Sequence, residues 1–447
     1  MSTTSDRGDN TSSSGDRGAD CRIRAVRARR VWDSRGRPTV EAEIALAGGA
    51  VGRAIVPSGA SKGSREAHEL RDGSGGGHGG LDVMQAVGHV NGEIARALAG
   101  ASARDQAGLD RRLVELDGTP QKTRLGANAT LAVSMAAAHA SAASLGVPLY
   151  EYFGGAEATL LPMPQIQIFG GGAHAGRRVD IQDFMIVCPG ARSFAQALEW
   201  TAEVYRHAGL VMQERGPLRG VADEGGWWPD FSTNEEALAT LVQAIERAGF
   251  APGTEVAIAL DIAASEFGRA GRYRLGLESR ELDSDAMCEL LLRWLESYPI
   301  VSIEDPLAED DAEGFARFTR AAGARVQIVG DDFLVSDAAL VREAARLGAA
   351  NTVLLKPNQR GTLSETLDAW RAAREAGYAG IVSARSGETE DTTIVHLAVG
   401  WGTGQLKVGS FARGERMAKW NEALRVEEGL GARARFAGAN AFGRSRA

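Results

Sequence analysis

The sequence predicts an α/β protein, a (β/α)8 TIM barrel preceded by a smaller α+β domain. Three observations carry that expectation. First, beyond residue 156 six short apolar runs each lead into a charged residue: VAIALD ending at Asp261, IVSIED reaching Glu304, VQIVGD ending at Asp331, NTVLLK ending at Lys356, GIVSAR ending at Arg385 and GQLK ending at Lys407. Second, these endpoints are 43, 27, 25, 29 and 22 residues apart, and amphipathic stretches such as ALVREAARLG and SETLDAWRAAREAG lie between them. Strand, helix, strand at that period reads as βα units on a parallel sheet. Third, the order before residue 155 is different, with strands first and helices after.

Residues 1–20 hold mainly Ser, Thr, Gly, Asp and Arg and have nothing to bury, so they read as a disordered tail without the apolar segment of a secretory signal. The α+β domain is expected over residues 21–155. Its first part alternates in TVEAEIAL and is punctuated by SRGRP and AGG, a pattern of strands and turns. GSGGGHGG (73–80) reads as a glycine-rich loop. LDVMQAVGHVNGEIARAL and NATLAVSMAAAHASAASL read as helices, the second so apolar that it belongs inside. The barrel is expected over residues 156–435 and a C-terminal tail over 436–447.

Bulk properties narrow the function. A chain of 447 residues with 44% hydrophobic residues can bury a large core. A net charge of −8 argues against a general nucleic-acid binder, though not against a small anionic ligand, which feels only its pocket. No run approaches the roughly 18 apolar residues that span a bilayer. Cys21, Cys188 and Cys288 are odd in number and far apart, the pattern of reduced thiols in a cytoplasmic protein.

Charge in the middle of a buried parallel strand is costly, whereas at the carboxyl rim of a barrel it is tolerated, and that rim is where barrel enzymes place their chemistry. Asp261, Glu304 and Asp331 come from three strand ends. One such carboxylate alone can cap a helix or pair with a surface base. Three converging repel one another unless a cation lies between them, and oxygen-only ligands favour Mg²⁺. Lys356 and Lys407 also end strands; one can act as a general base if its pKa is lowered, with the other as a fixed positive charge, or both can be ion-pair partners of the carboxylates. Arg385 beside Ser386 suits a phosphate. PSGASKG (57–63) offers Ser61 as an oxygen ligand. GGGAHAG (170–176) sets His174 in a lid-like loop. ADEGGWWPD (222–230) carries Glu224, expected in an apolar pocket where a raised pKa would suit a general acid.

At these residues a resemblance emerges. VWDSRGRPTVE, VPSGASKG, HELRDG, LGANATLAVSMA, GVPLYEY, HAG, DEGG, ALDIAASEF, SIEDP, IVGDD, LLKPNQ, RSGETEDT and GQLKVG occur in the order they have in enolases, so the chain resembles that family over about residues 22–432. The resemblance implies a modified (β/α)8 barrel, a homodimer or larger homo-oligomer, and an Mg²⁺-dependent lyase that interconverts 2-phosphoglycerate and phosphoenolpyruvate. It implies Asp261, Glu304 and Asp331 as ligands of a first Mg²⁺ and Ser61 as ligand of a second, substrate-dependent one. It implies Lys356 as the base at C2 and Glu224 as the acid at the departing hydroxyl. Lys407, Arg385, Ser386, Gln182 and His174 match substrate-binding positions, and Asp183 matches a carboxylate that assists the acid.

Four positions depart from the family pattern. Ala384 stands where a histidine is usual, Asp183 where a glutamate is usual, Lys62 where a threonine is usual, and Gly170 where an asparagine is usual. Three readings follow: an enolase; an enolase-like enzyme of phosphonate biosynthesis, similar to carboxyphosphonoenolpyruvate synthase and acting on a modified 2-phosphoglycerate, with Ala384 opening space and Lys62 adding positive charge near the phosphate; and a catalytically silent enolase fold that binds a partner.

Overall fold

The computed structural model describes residues 20–60, 62–75 and 77–442, so the tail read over residues 1–20 lies outside it except for Asp20. The chain first forms an antiparallel sheet of strands Ile23–Trp32, Pro38–Leu46 and Val51–Ile55, in that order. The turn between the first two strands is pinned by Asp33, whose carboxylate accepts the backbone N–H of Arg35 at 2.9 Å and of Arg37 at 2.8 Å. Helix Ala127–Leu145 lies against this sheet with nearly every residue buried. Its alanines permit a very close approach: a Cβ on Gly52 of the sheet would stand 2.0 Å from the backbone nitrogen of Ala140.

The stretch read as one helix from LDVMQAVGHVNGEIARAL is helical but contains a π turn, Val90–Ile94, between Met84–His89 and Ala95–Leu98. Asn91 in that turn accepts from the N–H of Ala28 at 2.8 Å and donates to its carbonyl at 3.0 Å. The widened turn thus covers polar backbone on the outer edge of strand Ile23–Trp32. The glycine-rich segment 73–80 folds into two short 3-10 turns, Gly73–Gly75 and His78–Gly80.

The second domain is a closed barrel of eight strands: Met163–Gly170, Asp183–Val187, Ala257–Asp261, Ile300–Glu304, Gln327–Gly330, Thr352–Leu355, Ala379–Ser383 and Gln405–Ser410. Six of these contain the runs read from the sequence. The first two were missed, and the sheet is not wholly parallel: Asp183–Val187 runs antiparallel to both neighbours. Only a short loop with a single 3-10 turn joins it to Met163–Gly170, and a parallel return would need a longer crossover. The fold is therefore α/β with a modified barrel.

The C-terminal tail expected from residue 436 begins later. Arg435–Phe436 pairs with Leu160–Leu161, Gly438–Phe442 forms a 3-10 helix, and Ala437 and Ala441 are buried against Met163, Ala257 and Val301. The amide of Gln405 donates to the carbonyl of Ala441 at 3.0 Å. These residues plug the end of the barrel where its strands begin. Residues 443–447 lie outside the described residues.

A buried carboxylate joins the two domains. Asp110, in helix Gln106–Asp117, accepts the backbone N–H of Ser364 at 2.9 Å and its hydroxyl at 2.6 Å, at the start of the barrel helix Leu363–Glu375. Burial outweighs these bonds and raises the Asp110 carboxyl to about 6 from an ordinary 3.8. Between those values the folded protein holds a proton that the unfolded chain has lost, so this contribution to stability is complete below pH 4 and disappears as the pH rises through 6. Asp110→Asn is expected to remove that slope. The stability difference between variant and parent, read from urea melts at pH 4 and pH 7, should move in favour of the variant by on the order of 2–3 kcal/mol; a pH-independent difference would contradict the assignment.

Candidate active site at the carboxyl end of the barrel

Strand pairing sets three carboxylates side by side. Asp261 is the register partner of Asp183 on one flank and of Glu304 on the other. Lys407 reaches all three: its Nζ lies 2.7 Å from Asp261, 2.8 Å from Glu304 and 3.2 Å from Asp183. Asp331 follows the next strand. It pairs with Lys356 and accepts from the amide of Gln359 at 2.8 Å. Its carboxylate groups with those of Asp305 and Asp332, whereas Asp261 and Glu304 gather on Lys407. Asp305 has a left-handed backbone, φ 40°, and accepts the N–H groups of Asp331 at 2.9 Å and Asp332 at 2.7 Å, tying one strand end to the next.

Four buried carboxylates thus meet two ammonium groups. Burial, then the neighbouring Asp261, pushes Glu304 well above the usual carboxylate range. Burial opposes the charge of Asp183 too, yet Lys407 and His174 hold its carboxyl well below that range. Glu304 Oε1 and Gln182 Oε1 are buried without a hydrogen-bond partner, and Gln182 Nε2 donates to Asp261 at 3.1 Å. Unpartnered oxygens and surplus negative charge on an all-oxygen donor set are what a hard divalent cation would satisfy.

Lys356 differs from its expectation. Burial pulls its ammonium down, but the carboxylate of Asp331 outweighs this and the net shift is upward. The second ammonium and Arg385 act in the expected direction, but the group that Lys356 touches is an anion.

Glu224 differs as well: its surroundings are polar rather than apolar. His174 Nε2 lies 3.8 Å from its Oε1 and Arg416 Nη1 lies 3.9 Å away. His174 Nδ1 faces Asp183 at 3.2 Å, so Asp183 reaches Glu224 through the imidazole even with its short side chain. Burial disfavours the imidazolium, but Glu224 and Asp183 outweigh this and raise the His174 pKa. Gln167, which the sequence reading missed, donates to Asp183 and accepts the N–H of Gly226 at 2.9 Å, tying the loop of Glu224 to the strand of Asp183.

Arg385 and Ser386 form the other wall. The Arg385 guanidinium donates to Glu66 at 2.9 and 3.2 Å, and a Cβ on Gly59 would stand 2.0 Å from its Nη2. Ser386 Oγ accepts the N–H of Ala60 at 2.7 Å and Arg35 Nη1 at 3.2 Å. Arg35 and Glu66 both come from the first domain and neither was singled out from the sequence, although Arg35 lies inside VWDSRGRPTVE. Ser61 lies outside the described residues. Lys62 pairs with Glu69 at 2.7 Å, a carboxylate it shares with Arg71. Gly170 has no room for a larger residue without a shift, since a Cβ there would be 2.6 Å from that of Ala222.

One pocket, open in part to solvent, is lined by Ala60, His174, Gln182, Asp183, Glu224, Asp261, Lys356, Ala384, Arg385, Ser386 and Lys407 among others. Glu304 and Asp331 stand behind that lining, in contact with the lysines. Lys356, Glu224, Asp261 and the Arg385–Ser386 pair therefore face one pocket.

Comparison with known proteins agrees with both domains. The family described as "Enolase, N-terminal domain" matches residues 23–153, and "Enolase, C-terminal TIM barrel domain" matches residues 158–445. The enolase of Rubrobacter xylanophilus is 51% identical over 420 residues, covering 94% of this chain and 98% of its own. The enolase of Tropheryma whipplei is 51% identical over 419 residues, covering 94% and 97%. With both domains matched and about half the residues shared along nearly the whole length, the chain belongs to the enolase family.

Proposed function

We propose that this enolase-family lyase catalyses the reversible dehydration of 2-phosphoglycerate to phosphoenolpyruvate, the glycolytic reaction, with Mg²⁺ as cofactor and as a cytoplasmic homo-oligomer. The observation that carries the reading is that Lys356, Glu224 and the Arg385–Ser386 pair line the same cavity. Arg385 and Ser386 bind the phosphate. Lys356 Nζ takes the proton at C2, and in the working state it has to part from Asp331. The C2–H electron pair becomes the new double bond, the C3–O bond breaks, and Glu224 gives its proton to the departing hydroxyl, which leaves as water. His174, between Asp183 and Glu224, orients that acid. Asp261, Glu304 and Asp331 would hold Mg²⁺, whose positive charge offsets the negative charge developing beside the substrate carboxylate.

A second reading, a larger phosphonate relative of 2-phosphoglycerate, is favoured by one observation: Ala384 puts only a methyl group on the cavity wall. Its other support, the charge of Lys62, is directed toward Glu69.

The two separate on the rise in ultraviolet absorbance when the protein meets 2-phosphoglycerate and Mg²⁺. The expected result is turnover at an ordinary enzyme rate, roughly 1–10³ per second. No turnover from folded protein transfers the assignment to the phosphonate substrate. Lys356→Ala is expected to slow the reaction by a factor on the order of 10²–10⁴ while leaving the melting temperature within a few degrees of the parent's. Chelation of divalent ions is expected to abolish turnover reversibly. Glu304→Gln is expected to raise the Mg²⁺ concentration needed for half-maximal activity by roughly tenfold or more, measured by Mg²⁺ titration of the initial rate.

A further inference from the structure

The geometry points to Arg416 as a positioning residue for the anion-binding wall, an inference that rests on the reading of Arg385 and Ser386 given above. Arg416 lies in the first turn of helix Gly414–Leu430 and is fully buried. Its Nη1 donates to the carbonyls of Arg385 at 2.8 Å and Val408 at 2.7 Å, and its Nη2 donates to the carbonyl of Ser386. These acceptors belong to two separate segments, the loop after strand Ala379–Ser383 and the end of strand Gln405–Ser410. The first carries the phosphate-binding pair and the second carries Lys407.

A third segment meets the same side chain. Arg416 Nη1 is 3.9 Å from Glu224 Oε1. A Cβ on Gly409, at φ +113°, would stand 3.0 Å from both the Cδ of Arg416 and the carbonyl oxygen of Glu224. One planar guanidinium therefore sets the spacing between the donors that grip the anion, the central ammonium and the loop of the acid.

Packing alone does not account for a charged group here. Removing a guanidinium from water is costly unless its donors are met; here Nη1 and Nη2 are met by carbonyls, while Nε is buried without a hydrogen-bond partner. The nearest carboxylate oxygens are offset, with Glu415 Oε1 3.4 Å from Nε and Glu224 Oε1 at the distance just given. Donors fixed in one plane and aimed at three carbonyls are a property of arginine that a lysine ammonium does not share.

The test is calorimetric titration of the Mg²⁺-loaded protein with inorganic phosphate, together with 2-phosphoglycerate kinetics. Three variants are compared with the parent: Arg416→Lys, Arg416→Gln and Leu430→Ala. Leu430 is buried in the same helix about four turns away and controls for weakened helix packing. Both Arg416 variants are expected to bind phosphate roughly tenfold or more weakly, and to raise KM by more than they lower kcat. Leu430→Ala is expected to lower the Tm and leave phosphate affinity unchanged. Parent-like affinity in either folded Arg416 variant overturns the proposal. An equal loss in Leu430→Ala overturns it too, as does failure of both Arg416 variants to fold, since either result assigns Arg416 to folding alone. The titration needs no turnover. A parent that binds phosphate but leaves 2-phosphoglycerate unchanged defeats the proposed reaction and not this role. A parent that binds no phosphate defeats this role.

Discussion

The active end of this barrel is organised around a repulsion that strand pairing makes unavoidable. Asp183, Asp261 and Glu304 occupy matched register positions on three adjacent strands, so the backbone holds their carboxylates about one strand spacing apart. Water cannot dilute the charge, because all three are buried. Lys407, projecting from a strand on the far side of Met163–Gly170, is the counter-charge they share. Burial and the neighbouring Asp261 raise Glu304, and the three carboxylates together raise the Lys407 ammonium. A divalent cation entering such a site relieves a cost that folding has already incurred.

The first domain completes the site rather than merely flanking it. The turn that Asp33 pins also carries Ser34, whose N–H donates to the Glu388 carbonyl at 2.7 Å and whose own carbonyl accepts from Arg413 at 2.8 Å. Arg35 then reaches Ser386, and Glu66 reaches Arg385. The Arg385–Ser386 wall is thus oriented by residues more than 300 positions earlier in the chain. This is also why the wall resists separation into parts: the groups that would grip a phosphate are held by groups that cannot.

Much of this was legible because burial writes a simple code. An apolar run ending in a charge, repeated at a helix-sized interval, has few physical explanations, and six of the eight barrel strands carried it. Met163–Gly170 and Asp183–Val187 escaped because Gln165, Gln167 and Asp183 place polar groups where a buried strand should be apolar. Those groups are satisfied inside the barrel, by an amide pair between Gln165 and Gln405 and by the bond from Gln167 to Asp183. The polar environment of Glu224 was hidden for a related reason. The two tryptophans beside it in sequence turn elsewhere, Trp227 to stack on Tyr205 and Trp228 to the loop at Gly176, while Arg416 arrives from a distant helix. Arg416 carried no local signal, since an arginine in a helix ordinarily faces solvent.

The barrel closes between strands Met163–Gly170 and Gln405–Ser410, whose paired Gln165 and Gln405 are 240 residues apart, and Ala437 and Ala441 help to fill its far end. A chain emerging from the ribosome therefore exposes the apolar bases of its early strands until residues 437–441 are made. Lys407, which neutralises the acidic strand ends, emerges late as well. Until then the barrel cannot close, and transiently exposed apolar surface of this kind favours aggregation.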